Sequence, residues 1–162
     1  MASLTELLAD LNSCEYLFLR EIFEPAENQL RVVVEEASAG PPVDPQDVAG
    51  FGFSDYRIVE SNDQSRLFEI TWPTYILYTV RNESYAAFDE TEIRETGRVA
   101  VVCSKSQFLD HLAASTFASK DFPGPFWHIA LHCQNHVVDV ASSEHPTVRQ
   151  LRPTQLAPGR IM

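Results

Sequence analysis

Short runs rich in β-branched and aromatic residues follow one another along the chain, and helical periodicity interrupts them only twice. Such runs read as strands. They are Leu30 to Glu35, Tyr56 to Glu60, Arg66 to Trp72, Tyr75 to Arg81, Tyr85 to Phe88, Arg98 to Cys103, Phe126 to Cys133 and His136 to Ser142. Glu15 to Phe23 could prolong a helix, but its aromatics favour a strand turned at Pro25-Ala26-Glu27-Asn28. Strands and helices do not alternate as βαβ units would require. The expectation is therefore an α+β domain with an antiparallel-dominated sheet of about eight strands and two helices.

The first helical segment opens at Ser3 to Glu6, a Ser-x-x-Glu capping box, with Leu4, Leu7, Leu8 and Leu11 on one stripe. The second runs from a capping box at Ser104 to Gln107 as far as about Ala118. Its buried stripe is predicted to be Phe108, Leu109, Leu112, Ala113 and Phe117. Ala39 to Gly52 is a loop by its proline and glycine content. Gly50-Phe51-Gly52 within it lacks the strand-to-helix setting of a phosphate cradle.

Length and composition limit the function. A chain of 162 residues suits one domain with its own core. Twelve Lys and Arg face 23 Asp and Glu, for a net charge of −11. Nucleic acid and anionic membrane surfaces would repel such a chain, so neither is an expected partner. No apolar run is long enough for a membrane-spanning helix. Cys14, Cys103 and Cys133 are odd in number, without CxxC spacing, and the N-terminus lacks the pattern of a secretory signal. A cytoplasmic protein without cofactor or metal is expected. All the acids lie before residue 145, so residues 1–144 read as an acidic domain. Residues 145–162 read as a basic tail with Arg149, Arg152, Arg160 and three prolines.

Reactive side chains concentrate in the last hairpin, at His128, His132, Cys133, His136 and Asp139. Around a turn at Gln134-Asn135, strand alternation puts Trp127, Ile129, Leu131 and Cys133 on the core face. His128, Ala130 and His132 fall on the other face, with Asp139 opposite Ala130. A His–Asp hydrogen bond is then within reach across the diagonal. His128 and His132 are too far apart on a strand to share one ion, so a metal would need His111 or His145 as well. Cys103, before a helix N-terminus and near Lys105, has the setting of a nucleophile or of a buried thiol. Ser104 and Ser106 read as helix caps.

The polar stretch from Glu83 to Glu95 offers an acidic rim, Glu83, Asp89, Glu90 and Glu92, around the aromatic anchors Tyr85 and Phe88. The expected function is a non-enzymatic acidic cytosolic binding protein that masks a basic protein partner, as a toxin-neutralising immunity protein does. The alternative is a small hydrolase or metal-assisted enzyme using His128, His132 and Asp139, or Cys103.

Overall fold

A computed structural model describes residues 1–44 and 56–152. The fold is α+β, with ten strands in two antiparallel sheets. The elements are α1 (Leu4–Leu7), α2 (Ala9–Asn12), β1 (Tyr16–Phe23), β2 (Leu30–Pro42), β3 (Arg57–Glu60), β4 (Leu67–Trp72) and β5 (Leu77–Asn82). After them come β6 (Ile93–Thr96), β7 (Ala100–Lys105), α3 (Gln107–Ser115), β8 (Trp127–His132), β9 (His136–Ser142) and β10 (Thr147–Leu151). The first sheet runs β1-β2-β4-β10 with β3 on β2, and the second runs β5-β9-β8-β7-β6.

One apolar core joins the two sheets. Leu17, Leu19, Val32, Val34, Phe68 and Ile70 from the first meet Val102, Ile129, Leu131, Val138 and Val140 from the second. Leu4, Leu8 and Leu11 of the leucine stripe join the same core. The Ser3 capping box forms as the sequence predicts, although two short helices stand where one was expected.

Two asparagines add hydrogen bonds between distant elements, Asn12 tying α2 to the start of β7 and Asn135 tying the β8–β9 turn to β1. Asn12 Oδ1 accepts from the backbone amides of Arg98, Val99 and Ala100, while its Nδ2 donates to the Ala100 carbonyl. The chain enters this turn through Gly97 at φ +96, where a Cβ would stand 2.0 Å from the Ala100 carbonyl oxygen. At the β8–β9 turn, Asn135 Oδ1 accepts from Leu19 N and its Nδ2 donates to Leu19 O, imitating a paired strand residue. Gln134 N donates to Leu17 O beside it, so the hairpin tip covers the outer edge of β1. Replacing Asn12 by alanine should lower the unfolding free energy by about 2–4 kcal/mol, since several backbone groups lose their partner at once. Urea denaturation checks this; a loss below about 0.5 kcal/mol would mean that water replaces the amide without cost.

Several sequence expectations are corrected. Tyr85 to Phe88 is no strand: Asn82 accepts from Ser84 N and starts a 3-10 turn over Glu83–Tyr85. Ala39 to Pro42 continue β2 rather than opening the loop, while Gly50-Phe51-Gly52 lies outside the described residues. Helix α3 ends at Ser115; of the two serines expected as caps, Ser106 is the cap, accepting from Leu109 N, and Ser104 lies within β7. Of its predicted stripe only Leu112 is buried, and Phe117 is 95% exposed beyond the helix. Within the basic C-terminal segment, β10 pairs with β4 as an edge strand, and residues 153–162 lie outside the described residues.

Candidate functional site

The outer face of the second sheet carries the chemistry. Strands β8 and β9 pair in the register that strand parity predicts, with Ala130 opposite Asp139 and His132 opposite Val137. The diagonal contact forms: His128 Nε2 lies 2.8 Å from Asp139 Oδ1. These groups are not surface residues, however. His128 is 1% and Asp139 3% exposed, and Phe108 of α3 lies against the His128 ring.

The hydrogen bonds extend at both ends of this pair. Ser106 Oγ lies 3.0 Å from His128 Nδ1. On the other side Arg81 Nη2 donates to Asp139 Oδ2 at 2.9 Å, with Thr79 Oγ1 at 3.5 Å from the same oxygen. Burial opposes ionisation of Asp139. The hydrogen bond from His128, then the charges of His128 and Arg81, outweigh it and hold the carboxyl below its ordinary value. An ionised Asp139 makes Nε2 the donor, so in the neutral imidazole Nδ1 accepts from the Ser106 hydroxyl.

Above this relay lies a cleft of about 570 Å³, a size usual for small-molecule sites. Thr79, Arg81, His132, Val137 and Asp139 of the sheet line it together with Ser106, Gln107 and His111 around α3. The third wall is the segment from Glu83 to Glu92. That segment is pinned at both ends. Glu83 N donates to Asn135 O at 3.2 Å. Asp89 Oδ1 accepts from Thr91, and Asp89 Oδ2 accepts from Gln107 N, the first amide of α3, at 2.8 Å. The Thr91 hydroxyl, followed by the Gln107 amide, lowers the Asp89 pKa.

Between those anchors Tyr85 is 86% and Phe88 82% exposed. The six residues predicted to form a binding rim therefore divide into two groups. Glu83, Tyr85, Phe88 and Glu90 are exposed, Glu83 and Phe88 at the cleft, whereas Asp89 is committed to α3 and Glu92 is paired with Arg94 at 2.5 Å. No family model, curated protein or solved structure matches the chain.

The remaining candidates separate. His132 lines the cleft, and burial, followed by the Arg94 charge, pushes its pKa down. His111 lines the cleft too, but His145 packs on Trp127 instead, with ring centroids 4.4 Å apart. Among the described residues no group of three or more His, Cys, Asp or Glu is placed to hold a metal ion. Cys103 is 4% exposed and lines a second cavity, with Leu109, Leu112 and Trp127. Burial first, then the Glu92 charge, pushes its thiol up to about 12, which opposes a thiolate. Sequence reasoning saw Ser106 only as a cap and passed over Arg81. Their partners lie on strands whose adjacency no local pattern reveals.

Proposed function

We propose that this chain is an acidic binding protein of the cytoplasm that masks a basic protein partner. The observation that carries this reading is the pair of exposed aromatics, Tyr85 and Phe88, on a segment pinned at both ends. An exposed aromatic on a mobile loop loses entropy when it binds; one held in place loses less and forms a better anchor. Glu83 and Glu90 on the same segment, in a chain of net charge −11, supply the field that attracts a basic surface. All three cysteines are free and buried, as suits a reducing compartment.

The anchors and the charges should separate kinetically. Reversing Glu83 and Glu90 to lysine should mainly slow association, whereas Tyr85→Ala should mainly speed dissociation, by about 2 kcal/mol if it is a hot spot. A pull-down from source lysate at low salt, followed by surface-plasmon kinetics on the retained protein, gives both rates. Association should slow as the Debye length falls from ~10 Å at 0.1 M salt to ~3 Å at 1 M. A captured partner that is not basic, or that binds equally fast at both salt concentrations, would remove the proposal.

A further inference from the structure

The side chains of Ser106, His128 and Asp139 make a linear relay, 3.0 Å and 2.8 Å between successive polar atoms, and each residue is 3% exposed or less. A buried relay of this kind could be purely structural. Two placements argue for more. Ser106 and Asp139 both line the cleft of about 570 Å³, so the serine borders a space whose size suits a small molecule. Ser106 also stands between β7 and the nine-residue helix α3, at a strand-to-helix turn. There the amide of the following residue, Gln107, can hold an anion beside Oγ, the arrangement that acyl-transfer sites use for a developing oxyanion. That amide already holds one: the Asp89 carboxylate, at 2.8 Å.

We propose that Ser106, His128 and Asp139 form a latent acyl-transfer site for small carboxylic esters, held closed by Asp89. The proposal does not rest on the binding reading, since it uses Ser106, His128, Asp139 and the Asp89 carboxylate bound to α3, and none of the exposed residues Glu83, Tyr85, Phe88 and Glu90. In the first step the Ser106 hydroxyl transfers its proton to His128 Nδ1 as Oγ bonds to the ester carbonyl carbon. The carbonyl π pair moves to oxygen, where the Gln107 amide receives it once Asp89 has withdrawn. When that pair returns, the carbon–oxygen bond to the leaving group breaks, and the departing alkoxide takes the proton from His128 as an alcohol. Water then repeats the sequence on the acyl-serine, giving the carboxylic acid and restoring the Ser106 hydroxyl. Asp139 touches no reacting atom; it is a positioning residue that fixes the imidazole and stabilises its cation. The Ser106 lone pair that accepts from Leu109 N stays in place throughout, so the helix cap is not lost.

The test is covalent labelling of the native full-length chain with an alkyl fluorophosphonate, in which the serine oxygen displaces fluoride, and mapping of the adduct by mass spectrometry. The expected result is an adduct on Ser106 that disappears when the protein is unfolded by heat before labelling. Asp89→Ala, which frees the Gln107 amide, should raise the labelling rate by about tenfold or more. Asp139→Asn should slow labelling and move the midpoint of its pH profile to lower pH, because the carboxylate that stabilised the imidazolium is gone. A merely structural Asp139 would leave that midpoint unmoved. Ser106→Gly should abolish the adduct while keeping a residue whose backbone freedom still lets it serve as the helix cap. If that variant fails to fold, adduct mapping on the native chain decides alone. Absence of an adduct on Ser106 in both the native chain and Asp89→Ala would overturn the proposal, even if partner binding at the rim were confirmed.

Discussion

Asp139→Ala is expected to lower the unfolding free energy by about 3–5 kcal/mol, because it strands a buried partner rather than merely deleting a contact. The His128 side chain is fully buried and would lose the acceptor of its Nε2 proton. Arg81 would lose its carboxylate too, but its side chain is 46% exposed, so water takes over that role. Arg81→Ala should accordingly cost under about 1 kcal/mol, and most of the Asp139 effect belongs to His128. A double variant, His128→Leu with Asp139→Leu, separates the explanations. It removes both polar groups, so it should be less destabilised than Asp139→Ala, despite the larger change in sequence. The pH dependence follows from the lowered Asp139 pKa. Its contribution is present above the unfolded value of about 3.9 and fades as pH falls through the lower folded value. Urea unfolding at neutral pH and below pH 4 should show the native chain and Asp139→Ala converging in acid. A constant difference across that range would place the stabilisation in the packing rather than in the ion pair.

The hairpin that carries this pair was legible in the sequence for a specific reason. Strand side chains alternate with a period of two, so fixing the turn at Gln134-Asn135 fixed every facing pair, including Ala130 with Asp139. What covers the face was not legible. The stripe on α3 suggested a broad apolar contact, yet only Leu112 is buried, while Phe108 packs against a histidine ring and Phe117 stands in solvent. Tyr85 to Phe88 misled by composition: aromatics favour strands, but the Asn82 side chain captured the Ser84 amide and turned the chain first. The ends of the relay were invisible for another reason. Arg81 reaches Asp139 because β5 pairs with β9, and Ser106 reaches His128 because it follows β7, whose Cys103 stands opposite His128 on β8. Neither adjacency is implied by order along the chain. The Asn12 and Asn135 clamps fall in the same class, each joining residues more than 80 positions apart.

The outer face of the first sheet yields the second large effect, because a single guanidinium serves two carboxylates there. Arg31 donates from Nη1 to Glu21 at 2.7 Å and from Nε to Glu69 at 2.5 Å, while its guanidinium lies over the Phe23 ring. Glu69 has a second partner in Arg149 at 2.8 Å, but that arginine is 62% exposed and screened by water. Glu21 is only 6% exposed, and its Oε1 has no hydrogen-bond partner among the described residues. Its charge therefore depends on Arg31. Arg31→Ala should cost about 3–5 kcal/mol, chiefly through the stranded Glu21. Arg31→Lys should cost less, about 1–2 kcal/mol, since an ammonium keeps the charge but cannot hold both carboxylates in the geometry of the fork. Acid should shrink the alanine effect through Glu69. In the native chain burial opposes ionisation of Glu69, but hydrogen bonds from Arg31 and Arg149 prevail and lower its pKa. That contribution fades below the unfolded value of about 4.3 as pH falls through the folded one. Urea unfolding from about pH 7 down to about pH 3 should then show a difference that narrows with falling pH. Adding Glu21→Gln to Arg31→Ala should recover part of the loss at neutral pH. Failure of that rescue would shift the cost from the stranded charge to the lost packing of Arg31 on Phe23.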